Sequence, residues 1–241
     1  MMRLKMTFQL KKPELDIEYR RAFLSLLKDC FKQTSRRVFE RFYGSGTPMK
    51  PFTFGVFLPQ PTFLHNTIKL SSTEITLNFS TIYADLGTYF YSSLISRRRR
   101  SEAYPLPGYN SLILKRVSLQ SEKIITASEM VFKTLSPFLV RLHHKQTNQD
   151  EYLTKNHHLF ISQTETIIRV MVQELIELED RVDFIPVKLN QGIPIKHFGT
   201  YVEGNTGVFK LIGRPEVLDF IYKVGIGSRR SEGFGLLEVV G

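Results

Sequence analysis

The hydrophobic period of this chain switches from two to 3.6 residues and back, twice within its first half, and the order of those switches leaves few folds open. Leu4, Met6, Phe8 and Leu10 alternate with Arg3, Lys5, Thr7 and Gln9, which is the pattern of a half-buried strand. Tyr19, Ala22, Phe23, Leu26, Leu27, Cys30 and Phe31 then fall on one face of a helix that the pattern extends to Phe42. Gly44, Ser45, Gly46, Thr47 and Pro48 break it. Alternation returns at Phe52, Phe54, Val56 and Leu58, and residues 67–70 and 75–79 read as a hairpin across a polar turn. Ile82, Leu86, Tyr89, Phe90 and Ser93 predict a second helix, ended by a run of four arginines. After Pro105 and Gly108 the chain reads as strand to about residue 119.

This β-α-β-β-α-β order is the ferredoxin-like arrangement. The second half repeats it more loosely. Extended sequence runs over residues 124–142, and Phe160, Ile161, Thr164, Ile167, Ile168, Met171, Val172, Leu175 and Ile176 mark a strong helix. Strands are expected at 182–189, 197–202 and 207–211, the last two forming a hairpin across 203–206. Pro215 suits the first turn of a helix carrying Val217, Phe220, Ile221 and Val224, and a strand closes the chain. The expected fold is α+β, with two tandem ferredoxin-like (RRM-like) domains at residues 1–122 and 123–241.

Between the last helix and strand lies the least ordinary segment, residues 225–235. Two Gly-hydrophobic-Gly triplets (Gly225, Ile226, Gly227 and Gly233, Phe234, Gly235) flank Ser228, Arg229, Arg230, Ser231 and Glu232. Glycines at this density imply special backbone angles or close backbone approach. The arginines between them point to an anion, phosphate first. Neither a dinucleotide fingerprint nor a P-loop fits, because the segment follows a helix and precedes a strand. The plainer alternative is a glycine-rich turn into a terminal strand.

A formal net charge of +10 over 241 residues favours a polyanionic partner, nucleic acid before others. Ferredoxin-like sheets bind single-stranded RNA with basic and aromatic side chains. The single cysteine, Cys30, excludes an intrachain disulfide and reads as a buried small hydrophobe. No run of 18 apolar residues and no apolar leader occur, so a cytoplasmic protein without membrane partners is expected. No Cys or His cluster has structural-zinc spacing, and the pairs His143, His144 and His157, His158 read as solvated. No metal and no cofactor are expected.

The glycine segment, the strand motif Lys50-Pro51-Phe52-Thr53-Phe54, the segment Thr134-Leu135-Ser136-Pro137 followed by Val140-Arg141, and the stretch from Gly199-Thr200-Tyr201 to Gly213 together resemble the CRISPR-associated repeat-processing endoribonucleases of the RAMP superfamily. The resemblance spans residues 50–241. It implies binding of CRISPR repeat RNA and metal-independent cleavage by the ribose 2′-hydroxyl, with association into an effector complex and a homodimer left open. By this resemblance Gly225, Gly227, Ser228, Arg229, Arg230, Ser231, Gly233 and Gly235 hold RNA; the run Arg97, Arg98, Arg99 and Arg100 reads, from its charge, as a phosphate-contacting arm on an RNA stem. The bland reading of the arginine run is a solvated helix end.

The family's general reaction needs a base for the 2′-hydroxyl, an acid for the leaving oxygen and positive charge on the phosphorane. Many members place a histidine after the first helix and a lysine at the next strand. Lys50 matches the lysine, but there is no histidine between Lys28 and Lys50; that stretch offers Arg36, Arg37, Arg41 and Tyr43. Tyr43 is the nearest proton-transfer candidate and His65, the first half's sole histidine, an outside one. An aromatic packing the helix end, a solvated strand-entry charge and a loop histidine are the respective alternatives. A catalytically inactive RNA-binding paralogue, or a complex subunit retaining CRISPR RNA, is the competing function. A basic structural or ribosome-associated protein is the third.

Overall fold

A computed structural model describes residues 2–46 and 48–240, so Thr47 of the expected helix break lies outside the described residues. The chain forms two compact units, one reaching Pro48 and resuming from Gly55 to Glu122, the other taking Met49–Phe54 and the chain from Lys123 onward. The chain to residue 122 runs β1 Met2–Leu10, β2 Glu14–Asp16, α1 Tyr19–Thr34, α2 Arg36–Tyr43, β3 Phe52–Phe57 (whose first three residues fall in the second unit), β4 Thr62–Phe63, β5 Thr67–Lys69, β6 Glu74–Thr81, α3 Ala84–Arg99, β7 Tyr104–Leu106 and β8 Asn110–Leu119. Its main sheet has the order β3-β6-β1-β8-β7, the ferredoxin-like order with one short strand added. The alternation of β1 does what it predicts: Leu4, Met6, Phe8 and Leu10 are buried. Phe23, Leu27 and Phe31 of α1 and Phe90 of α3 are fully buried as well, each worth roughly 1.5–3 kcal/mol.

Two local expectations for this unit are corrected. The first helix does not run through to Phe42. Ser35 takes an extended backbone (φ −153°) and its hydroxyl accepts from the Val38 N–H at 3.3 Å, capping α2 as a separate helix. Nor do residues 67–70 and 75–79 form a hairpin. β5 pairs instead with β2 and β4, setting Ile68 opposite Leu15 so that both are buried, while β6 pairs with β1.

The second unit runs β9 Glu129–Thr134, β10 Val140–His144, β11 Gln149–Leu153, α4 Phe160–Ile176, β12 Asp183–Leu189, β13 Ile193–His197, β14 Thr200–Gly204, β15 Gly207–Ile212, α5 Pro215–Val224, a 3₁₀ turn Arg230–Glu232, and β16 Leu237–Val239. Its four-stranded sheet, β12-β15-β9-β16, is again ferredoxin-like. The core is a run of rings: Phe138 lies 5.8–6.2 Å from Phe160, Phe184 and Phe209, and Phe132 lies 6.0 Å from Phe209.

One strand pairing differs from expectation. The hairpin is β13–β14, turning at Phe198 and Gly199, and β15 joins the main sheet between β12 and β9. Both turn residues have positive φ (+49° and +80°), the requirement of a tight two-residue turn. Phe at such a position carries no turn signal, which is why the periodicity misplaced the hairpin. Cys30 is fully buried, and burial pushes its thiol up to about 11. Among the described residues no helix is long and apolar enough to cross a membrane.

Candidate nucleic-acid interface

The glycines of residues 225–235 are explained by the protein's own backbone. Gly225, Gly227, Gly233 and Gly235 all have positive φ, between +71° and +96°. The loop folds back on itself, with the Ile226 N–H donating to the Gly235 carbonyl at 2.9 Å. A Cβ on Gly235 would stand 1.9 Å from the Ile226 oxygen, and one on Gly225 would stand 2.5 Å from the Gly235 oxygen. On Gly227 it would meet the Leu139 oxygen at 2.6 Å. These glycines are buried, and their close approach is to other chain atoms of the second unit.

The other motif segments converge on the same knot. The Thr53 hydroxyl, fully buried, donates to the Phe234 carbonyl at 2.7 Å. Ser136 accepts from the Leu236 N–H at 3.0 Å, and the Gly235 N–H donates to the Pro137 carbonyl at 2.8 Å. The Ser228 N–H donates to the Leu139 carbonyl at 2.8 Å. Phe234 shares a buried cluster with Leu139, Ile195 and Val202, which brings in the β13–β14 hairpin. Segments near residues 53 and 136 thus meet the loop through buried hydrogen bonds, where an unmade bond is costly, and the hairpin near residue 197 meets it through apolar packing.

The two loop arginines part company. Arg230 is buried and its guanidinium donates to the Val224 carbonyl at 3.2 Å. Burial pushes its pKa down to about 10, with Glu174 pulling the other way, so it stays charged at neutral pH. Arg229 keeps 30% of its side chain exposed and takes a left-handed backbone (φ +54°). Its Nε donates to the Tyr152 hydroxyl at 2.8 Å, its Nη1 to Glu232 at 3.2 Å, and its Nη2 lies 3.8 Å from Asp150. Burial works against its charge, but Tyr152 and Glu232 outweigh that and raise its pKa. Ser228 and Ser231 are half-buried beside it.

One pair in this network was not singled out in the sequence. His197, buried at 2%, meets the same Glu232 oxygen at 2.6 Å. Its ring stands edge-on to Phe234 at 5.1 Å and to Phe198 at 4.6 Å. Burial raises the Glu232 carboxyl's pKa, but the bond to His197 and the Arg229 charge more than reverse this and hold it below its ordinary value. The available signal was alternation: in β13, Ile195 and His197 share the inward face.

The remaining candidates are distributed over both units. In the first, Arg97 is buried and bonds to Asp29 and Glu102, whereas Arg98, Arg99 and Arg100 are exposed. Arg100 pairs with Glu102 at 2.9 Å. The Tyr43 ring stacks between Phe39 (5.6 Å) and Phe31 (6.5 Å), with the Lys28 ammonium 5.1 Å from its centre. His65 is exposed at the turn between β4 and β5. In the second unit, Lys50 is half-buried just ahead of β3.

The face of the first sheet away from the helices presents Lys5, Thr7 and Gln9, paired across to Asn78, Thr76 and Glu74, and Ser118 and Arg116. In the second sheet the same face carries Val131, Lys133, Val208, Lys210 and Ile185. Over these strands the faces are charged, polar or aliphatic; at the edge of the first sheet β3 adds one exposed aromatic, Phe57, at 65%, the residue type that stacks bases in RRM-type recognition.

Residues 120–239 match the family model described as CRISPR associated protein Cas6, C-terminal. A Pyrococcus furiosus protein bearing the name CRISPR-associated endoribonuclease-like protein Cas6 is 22% identical over 180 residues, 72% of this chain and 71% of that one. A solved structure from work on a Cas6-related gene of Pyrococcus furiosus superposes with a TM-score of 0.87 at 18% identity, covering 99% of this chain and 98% of that one. A RAMP protein described as binding different RNA substrates superposes at 0.85 with 20% identity, all of both chains covered (100%). A Cas6 product complex superposes at 0.68 with 17% identity over 99% of each chain. The structural likenesses are likenesses of fold.

Proposed function

The chain belongs to the Cas6 family of CRISPR-associated RAMP-type proteins, and from that membership we propose that it binds CRISPR repeat RNA and cuts precursor CRISPR RNA without a metal ion. The observation that carries the binding half is the knot itself. Four distant motif segments are spent on building one rigid loop, and the loop's product at the surface is the Arg229 guanidinium. A guanidinium has five N–H donors, and three groups engage Arg229, so donors remain for a phosphate. Arg98 and Arg99, exposed at the end of α3, add sequence-independent phosphate attraction.

In the cleavage step, the 2′-oxygen forms a bond to phosphorus and gives up its proton to a base. The bond from phosphorus to the 5′-oxygen breaks, and that oxygen takes a proton. The products carry a 2′,3′-cyclic phosphate and a 5′-hydroxyl. The Lys50 ammonium is assigned to the charge that builds on the phosphorane, worth on the order of 10²–10³ in rate for one well-placed donor. Tyr43 is assigned to proton transfer, with His65 as the outside candidate for the same task. A site in the cytoplasm, a homodimer and membership of an effector complex complete the proposal.

A second reading has its own support: no histidine stands between Lys28 and Lys50, and the Tyr43 ring is clamped between two phenylalanines. On that reading the protein binds and retains CRISPR RNA without cutting it. End-labelled repeat RNA, incubated with excess protein in EDTA, separates the two. Scission at one position supports the enzyme; tight binding of intact RNA supports the retaining subunit. Equal affinity for unrelated RNA of the same length would defeat both.

A further inference from the structure

We propose that His197 is a positioning residue for RNA binding, acting through Glu232 to aim the Arg229 guanidinium at a backbone phosphate. This rests on the reading of Arg229 as an RNA contact. The geometry is a relay of three side chains through one carboxylate oxygen. Glu232 Oε2 receives the His197 ring nitrogen at 2.6 Å and Arg229 Nη1 at 3.2 Å. His197 is 2% exposed and wedged edge-on between Phe198 and Phe234, so it cannot itself reach RNA. Its position is fixed by β13, and it passes that position through Glu232, in the single 3₁₀ turn, to the long Arg229 side chain, whose own rotatable bonds the loop backbone does not set.

The remaining contacts do not fix the guanidinium alone. Tyr152, half-buried on β11, takes only the Nε donor. Asp150 is already shared by Arg141 at 3.3 Å and His143 at 2.9 Å, and lies 3.8 Å from Arg229. Without His197 the Glu232 carboxylate loses its buried anchor, and Arg229 is left to follow Asp150 along the surface. An arginine so released binds phosphate more weakly because the complex must then immobilise it.

The test is the salt dependence of binding to a labelled repeat RNA, measured for wild type, His197→Phe, His197→Gln, Glu232→Ala, Arg229→Gln and the doubles with Arg229→Gln. Arg229→Gln is expected to weaken binding roughly tenfold and to flatten the plot of log K against log salt by about 0.7, the loss of one single-strand phosphate contact. His197→Phe keeps the ring packing and removes the donor; it is expected to give most of that loss and to add nothing on top of Arg229→Gln. His197→Gln, which retains an N–H donor, is expected to recover the wild-type slope. Glu232→Ala leaves the Phe198–His197–Phe234 packing alone and is expected to repeat the His197→Phe result by a second route.

A residue that merely supports the fold would lower the melting temperature without changing the slope of the folded protein. The proposal fails if His197→Phe and Glu232→Ala keep the wild-type slope, or if their losses add to that of Arg229→Gln. If Arg229→Gln itself leaves affinity and slope unchanged, the RNA reading of the loop fails and the positioning role falls with it.

Discussion

Replacing Gly235 by alanine decides what the glycine loop is for. The new Cβ would stand 1.9 Å from the Ile226 oxygen, and the residue would be held at φ +71°. The left-handed backbone costs an L-residue roughly 1–2 kcal/mol. Relieving the overlap adds roughly 1–3 kcal/mol of overpacking. The displaced oxygen belongs to the residue whose N–H bonds the Gly235 carbonyl at 2.9 Å, and losing that buried bond adds about 1 kcal/mol. The sum, roughly 3–6 kcal/mol, is a large share of the 5–15 kcal/mol that holds a typical domain. Gly199 supplies the control, with φ +80° but nothing within 4 Å of its added Cβ, so Gly199→Ala is expected to cost only the backbone strain of roughly 1–2 kcal/mol. Urea unfolding followed by far-ultraviolet circular dichroism measures both. If Gly235→Ala unfolds within 1 kcal/mol of Gly199→Ala (about the size of one buried hydrogen bond), the packing argument is wrong. A stable Gly235→Ala that has lost only RNA affinity would mean the glycines serve the ligand.

The four-arginine run should split under mutation. Arg97→Ala, removing a buried cation from Asp29 and Glu102, is expected to destabilise by roughly 1–3 kcal/mol, discounted for the partial exposure of those carboxylates. Arg98→Ala with Arg99→Ala should leave stability within about 0.5 kcal/mol and lower the salt slope of RNA binding. Glu232 and Asp150 are both held below their ordinary values of 4.5 and 3.8, so they stabilise the fold above those values and the contribution is lost as pH falls through the lower folded ones. Glu232→Gln should therefore flatten the acid limb of a melting-temperature profile, and an unchanged limb would remove Glu232 from that account. Where RNA is cut, Lys50→Ala and Tyr43→Phe should slow single-turnover cleavage without matching losses in affinity; unchanged rates for both would void the site assignment.

The period switches carried the architecture because each ferredoxin-like strand and helix buries one face, and a buried face writes itself into the sequence. Misplacements occurred where backbone geometry decides: the Phe198 turn at positive φ, the extended Ser35 that divides α1 from α2, and β5 leaving β6 for a small sheet. The candidate site was legible as residue types but not as contacts. Gly-x-Gly spacing signals close approach without saying to what, and here the partners are Ile226, Gly235 and Leu139 oxygens of the same chain. Arg229 and Arg230 are adjacent and chemically alike, yet one faces solvent and the other a buried carbonyl, a distinction that only the 3₁₀ turn creates. His197 and Glu232 are 35 residues apart, beyond the reach of any local pattern.

The account's central claim is that this chain recognises CRISPR repeat RNA and cuts it with the RNA's own 2′-hydroxyl. Two repeat RNAs, one all-ribose and one with a single 2′-deoxy at the scissile nucleotide, test it most directly under single-turnover conditions in EDTA. The expected result is equal binding of both, cleavage of the ribose strand alone, and products ending in a 2′,3′-cyclic phosphate and a 5′-hydroxyl. Cleavage of the deoxy strand, or two bound strands that both stay intact, would contradict it.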